Sequence, residues 1–186
     1  MLLLGSTTGA IPPLSAQPQL SEQSKLVIDG IGPIRVGMTV AEAEQSSGIQ
    51  LKEQGGRAGN GSCYYLRPQS GPQGLGFMVI SNRADQRIVR TQDRIARVDV
   101  YRDSRITTLS GAKIGDTEAQ VRALYPGRIQ ETPHKYTSDQ GGHYLTYVPK
   151  DAADQNYRLI FETLNGRITA FRAGKRPEVD FVEGCA

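Results

Sequence analysis

From residue 63 onward apolar and polar positions alternate with a period of two along several short runs, the pattern of half-buried strands. In the first half these runs cover residues 63–66, 75–80 and 95–101, with a weaker one at 87–90. In the second half they cover 144–148, 157–163, 167–172 and 179–182. Leu145 and Tyr147 fall on one side of their strand, as do Tyr157, Leu159 and Phe161 on the next; Thr146, Arg158 and Glu162 fall opposite. Asn165-Gly166 lies between two runs and predicts a two-residue hairpin, because both residues tolerate the positive φ that such a turn requires. One face of an antiparallel sheet built this way is expected to carry helices, and the other to stay open to solvent.

Two segments break the alternation and begin in the same way. Arg35-Val36-Gly37-Met38-Thr39-Val40-Ala41-Glu42-Ala43 returns as Lys113-Ile114-Gly115-Asp116-Thr117-Glu118-Ala119-Gln120-Val121, with the glycines 78 positions apart. Thr39 with Glu42, and Thr117 with Gln120, fit the capping box. In it the threonine hydroxyl accepts from a backbone N–H three residues on, and the Glu or Gln reaches back to the cap's own N–H. Helices are therefore predicted over 40–46, stopped by Gly48, and over 118–124, stopped by Pro126-Gly127. A second match, Arg94-Ile95-Ala96-Arg97-Val98 against Arg167-Ile168-Thr169-Ala170-Phe171, is offset by 73, so the loops between differ in length.

A doubled helix start implies a doubled structural unit. The expected class is α+β, with two tandem units over 26–107 and 108–186. Each is a short helix packed on an antiparallel meander, and the two units are expected to pack together. Residues 54–62 are expected to form a polar, glycine-rich loop. Residues 1–25 carry no charge before Glu22 and read as a signal-peptide remnant, with Leu14-Ser15-Ala16 as the cleavage site, or as a disordered leader.

Composition narrows the class without naming a partner. The chain has 186 residues, 38% hydrophobic and 22% charged, a formal net charge of +3, and no apolar run long enough to span a bilayer. Two cysteines, Cys63 and Cys185, form an even count that suits one disulfide in an oxidising, periplasmic or secreted setting; two unpaired thiols are the alternative. Seven arginines between 83 and 105 are interleaved with Asp85, Asp93, Asp99 and Asp103. That dilution favours a solvated, locally paired face over a nucleic-acid footprint.

Candidate chemistry is sparse. Only two histidines exist, His134 and His143, short of the ligand set a zinc site uses, so neither a metal nor a cofactor is expected. A Cys63 nucleophile paired with either histidine would compete with the disulfide. Eight tyrosines and no tryptophan remain as the recognition signal. Tyr64 and Tyr65 are strand neighbours, so one of them should point outward. The candidate partner-binding set is Tyr64, Tyr101 and Tyr144 on strands, Arg97 and Arg172 beside them, and His134 and Tyr136 in the polar 133–142 loop.

The phrase Gly37-Met38-Thr39-Val40-Ala41-Glu42 and its copy at Gly115 resemble the helix-start signature of the β-lactamase inhibitor protein family. They also resemble that of the small lipoprotein of the outer-membrane β-barrel assembly machine. The tandem form is more similar to the inhibitor. The resemblance implies helical segments on one face of an antiparallel sheet, with the sheets of the two units joining into one curved surface that grips a partner. The ending, Phe171-Arg172-Ala173-Gly174 through Val182-Glu183-Gly184-Cys185, is similar to that of uncharacterised exported bacterial proteins. The expected function is that of a non-enzymatic exported module that binds another protein, or an envelope component, through its open sheet face. A cell-envelope assembly or structural protein is the alternative, and a cysteine- or histidine-dependent enzyme the third reading.

Overall fold

The structure, a computed structural model, describes residues 19–58, 62–81 and 92–185. The weak strand expected at 87–90 lies outside the described residues, as do residues 1–18 of the expected leader. Two sheets carry the fold. The smaller has the order β3-β2-β1-β8, from β1 (Lys25–Val27), β2 (Gly30–Ile31), β3 (Ile34–Arg35) and β8 (Thr107–Thr108). The larger is built from β4 (Leu51–Ala58), β5 (Cys63–Pro68), β6 (Leu75–Ile80), β7 (Arg94–Val100), β9 (Ile129–Pro133), β10 (His143–Tyr147), β11 (Tyr157–Leu164) and β12 (Arg167–Lys175). Its order is β4-β5-β6-β7-β12-β11-β10-β9, antiparallel throughout.

The expected α+β class, two helix-on-meander units, is therefore corrected. The described residues are mostly β, with sheets of four and eight strands and only two α-helices among them, α1 (Val40–Ser47) and α2 (Glu118–Leu124). Helices of two turns bury too little to form a layer of their own: α1 buries Val40, Ala43 and Ser47, and α2 only Val121. The small sheet lies in segments too short to show alternation, and its parallel β1–β8 pairing joins the start of one expected unit to the boundary of the next. The 54–62 loop is corrected as well, because β4 runs through most of it. Leu51 anchors the start of this edge strand in the core, and the polar residues after it pair with β5 through the backbone ladder.

Local predictions fare better where the backbone chemistry is explicit. Both capping boxes form, with Glu42 and Gln120 each at 2.7 Å from the cap's N–H. Gly48 closes α1 at φ 66°, and Asn165-Gly166 turns the β11–β12 hairpin with φ 52° and 70°. The repeat also has a tertiary meaning. Gly37 N–H donates to Ile95 C=O at 2.8 Å, and Gly115 N–H to Ile168 C=O at 2.9 Å. Arg94 Nη1 reaches Gly37 C=O at 2.6 Å, and Arg167 Nη1 reaches Gly115 C=O at 2.9 Å. Each doubled phrase thus ties a helix start to the strand headed by the doubled arginine. Both glycines sit at positive φ, 92° and 86°, where a side chain would be strained.

One hydrophobic core joins both sheets and helices. Leu26, Ile31 and Ile34 of the small sheet meet Val40 and Val121 of the helices and Leu66, Phe77, Val98, Phe161 and Phe171 of the large sheet. Each such side chain stabilises the fold by about 1.5–3 kcal/mol on burial. The described end of the expected leader joins in, since Leu20 is in this cluster.

The opposite face of the large sheet is not left open. After β12 the chain forms a 3-10 turn, Glu178–Asp180, and residues 178–185 run back across β11, β12 and β7. The strand expected at 179–182 is thereby corrected. Its carbonyls go to buried arginines from the sheet below, so it needs no ladder partner. A disulfide between Cys185 and Cys63 on β5 pins this strap.

Candidate functional site

On a strand, residues two apart share a face. Arg97 and Asp99 on β7 therefore stand together under the strap, beside Tyr65 from β5 and Arg172 from β12. Arg97 is 4% exposed and all five of its N–H groups are used. Nε and Nη2 hold Asp99 at 3.0 and 2.9 Å, and Nη2 also donates to Tyr65 Oη at 2.6 Å. Nη1 donates to the strap carbonyls of Glu178 and Phe181 at 3.1 and 2.7 Å. Arg172 adds a third strap carbonyl, Val179, at 2.7 Å from Nε, and pairs with Glu162 through Nη1. The strap is thus read through its backbone. Burial pushes the Asp99 carboxyl above its usual value, against the pull of Arg97. Burial likewise raises the Tyr65 and Tyr101 phenols, which keep their protons through the neutral range.

Beside this network lies a cleft of about 300 Å³, lined by Tyr65, Tyr101, Glu162, Arg172, Val182 and Glu183 among others. Tyr101 is 41% exposed, and its ring lies across Gly76, where an added Cβ would come within 2.9 Å of the ring. Glycine at 76 leaves the space that the ring occupies. A larger hollow of about 600 Å³, between Lys52, Arg67 and Leu75, contains none of the residues singled out from the sequence.

The sequence-selected residues divide between these surroundings. Tyr64 is corrected outright as a contact residue: it is fully buried in the core and donates to Asp93 at 2.7 Å. Its neighbour Tyr65 is the one on the strap face, with Arg97 against it. Arg97, Arg172 and Tyr101 are brought together at the cleft. Tyr144 is buried beneath the strap with Ile160 and Val179, and His134 stacks on it at 4.5 Å. Tyr136 is 56% exposed and bonds through its hydroxyl to Glu183 of the strap, where Lys135 also pairs at 2.6 Å. Sequence reasoning missed Tyr65, Asp99, Glu162 and the strap itself. The shared side of Tyr64 and Leu66 was a signal for the first of these, since an apolar Leu66 draws Tyr64 inward.

The two histidines lie on opposite faces of the sheet. His134 Nε2 faces Glu162 at 3.7 Å on the strap side. His143 is on the helix side, with Nδ1 at 2.9 Å from Glu118 and Nε2 at 3.8 Å from Glu131. Glu118, Glu131 and His143 each offer one ligand atom, all within 4.8 Å of one another, so these three could hold a metal ion. Within the protein their charges are answered by each other and by Arg122, which pairs with Glu131.

That pair makes stability depend on pH. Hydrogen bonding to Glu118 raises His143 above its ordinary 6.5. Burial opposes ionisation of Glu118, but Thr163 and His143 outweigh it and hold the carboxyl below its ordinary 4.5. The histidine's contribution is complete below 6.5 and fades as pH rises through its raised value. The carboxylate's is complete above 4.5 and fades as pH falls through its lowered value. His143→Gln is therefore expected to lower the urea midpoint most between pH 4.5 and 6.5 and progressively less above that window. A deficit that stays constant across this range would contradict the ion pair.

Compared with known proteins, the chain matches no family model and no curated protein.

Proposed function

We propose that this protein is a non-enzymatic, exported binding module that engages another protein through the strapped face of its sheet. One observation carries the reading. Of the five large hydrophobic side chains exposed among the described residues, the three aromatic ones, Tyr101, Tyr136 and Phe181, lie on or against the strap. Aromatic side chains held in place on a rigid element give large contact area at little entropic cost, as recognition surfaces use them. The recognition surface is the cleft and strap rather than an open sheet face.

Export is supported by the Cys63–Cys185 bridge, which persists in oxidising compartments. No helix of the described residues is long and apolar enough to cross a membrane. The bridge also occupies the sulfur that a cysteine mechanism would need. The doubled helix-start phrase and its likeness to the β-lactamase inhibitor family add support for a protein partner.

The test is capture from a bacterial envelope extract by the oxidised protein and by a Tyr101→Ala/Phe181→Ala double variant. A partner protein held by the first and lost by the second supports the reading. Equal capture by both, or none by either, overturns it.

A further inference from the structure

Arg97 has no donor left to give, but Arg172 does. Its side chain is 5% exposed, and its bonds to Val179 and Glu162 use Nε and one hydrogen of Nη1. Among the described residues no acceptor meets Nη2, and Arg172 lines the cleft. The Tyr65 hydroxyl accepts from Arg97, and its own O–H likewise has no acceptor among the described residues. Two groups on the cleft floor therefore offer hydrogens that a ligand must answer if it covers them, because a covered, unmet donor costs about 1–3 kcal/mol.

Charge decides what kind of acceptor fits. Arg97 is neutralised by Asp99, Arg172 by Glu162, and Glu183 at the rim by Lys135. A ligand carboxylate would face Glu162 and Glu183, and a ligand cation would face unmet donors. A neutral acceptor meets neither obstacle. The same arginines already take three peptide carbonyls from the strap, so peptide is the chemistry this site accommodates.

We infer that the cleft receives a backbone carbonyl from an extended segment of the protein partner, with Arg172 Nη2 and the Tyr65 hydroxyl as donors and the Tyr101 ring as the wall. This rests on the reading of the strapped face as a protein-binding surface. A volume of about 300 Å³ suits a short stretch of chain rather than a folded element.

The oxidised protein is used to select from a displayed library of random linear peptides, and each amide of an enriched peptide is then replaced in turn by an ester, whose carbonyl is a weaker acceptor. Binding is expected to fall roughly tenfold at one position on the wild-type protein, the loss of one charge-assisted hydrogen bond. That penalty should shrink on Arg172→Lys, which keeps the charge and loses the fork, and on Tyr65→Phe, which serves if Arg172→Lys disturbs the fold by near-ultraviolet circular dichroism. Absence of any enriched peptide, binding that depends on a peptide lysine or arginine, or an ester penalty unchanged in both variants overturns the inference. If envelope capture still depends on Tyr101 and Phe181 while no ester penalty appears, the inference alone fails. If peptides show the penalty but capture is indifferent to those residues, the broader reading fails instead.

Discussion

Cys185→Ser is expected to lower the unfolding free energy by about 4 to 5 kcal/mol, the loop-closure entropy of a 122-residue ring. The native contacts of the strap survive the substitution, so the effect acts chiefly through the freed unfolded chain. Urea denaturation of the variant, and of the wild type with dithiol reductant, should show matching midpoints well below that of the oxidised protein. A variant that unfolds at the wild-type midpoint would mean that the bridge constrains nothing.

Arg97→Met is expected to cost about 3–5 kcal/mol, because it leaves Asp99 buried and unpaired. Two strap carbonyls and the Tyr65 oxygen lose their donor in the same step. Adding Asp99→Leu should recover much of the loss, since an apolar pair of similar volume carries no stranded charge. Urea midpoints of the single and double variants decide this. If the double variant is less stable than Arg97→Met, Asp99 is not the source of the penalty.

Sequence reading succeeds here where a rule of backbone chemistry acts on adjacent residues. Thr39, Glu42, Thr117, Gln120 and the Asn165-Gly166 turn all take the geometry that their side chains demand. It falters where tertiary contacts decide. The alternating charges around Arg97 and Asp99 resemble a solvated face, and become a buried pair only because residues 178–185 cross above them. Period two places both residues on one side of β7 but says nothing of what covers that side. The two-residue strands β2, β3 and β8 are too short for any periodicity, and β4 after its buried Leu51 is a polar run whose pairing to β5 runs through the backbone. At the cleft, Tyr101, Arg97 and Arg172 were legible as a set. Choosing Tyr64 over Tyr65 failed because the core claims the side chain that shares a face with Leu66.

The strap also sets the order in which a growing chain can be completed. Its segment follows every described strand of both sheets, so during synthesis the sheet face waits bare until residues 178–185 arrive. What waits there is largely charge and hydroxyl, Arg97, Asp99, Glu162, Arg172 and Tyr65, with apolar side chains at Met78, Tyr144 and Ile160. Such a surface stays wetted in an unfinished molecule and offers neighbouring nascent chains little to stick to. Polar residues beneath a late-arriving cover thus protect an intermediate that an apolar stripe in the same place would drive toward aggregation.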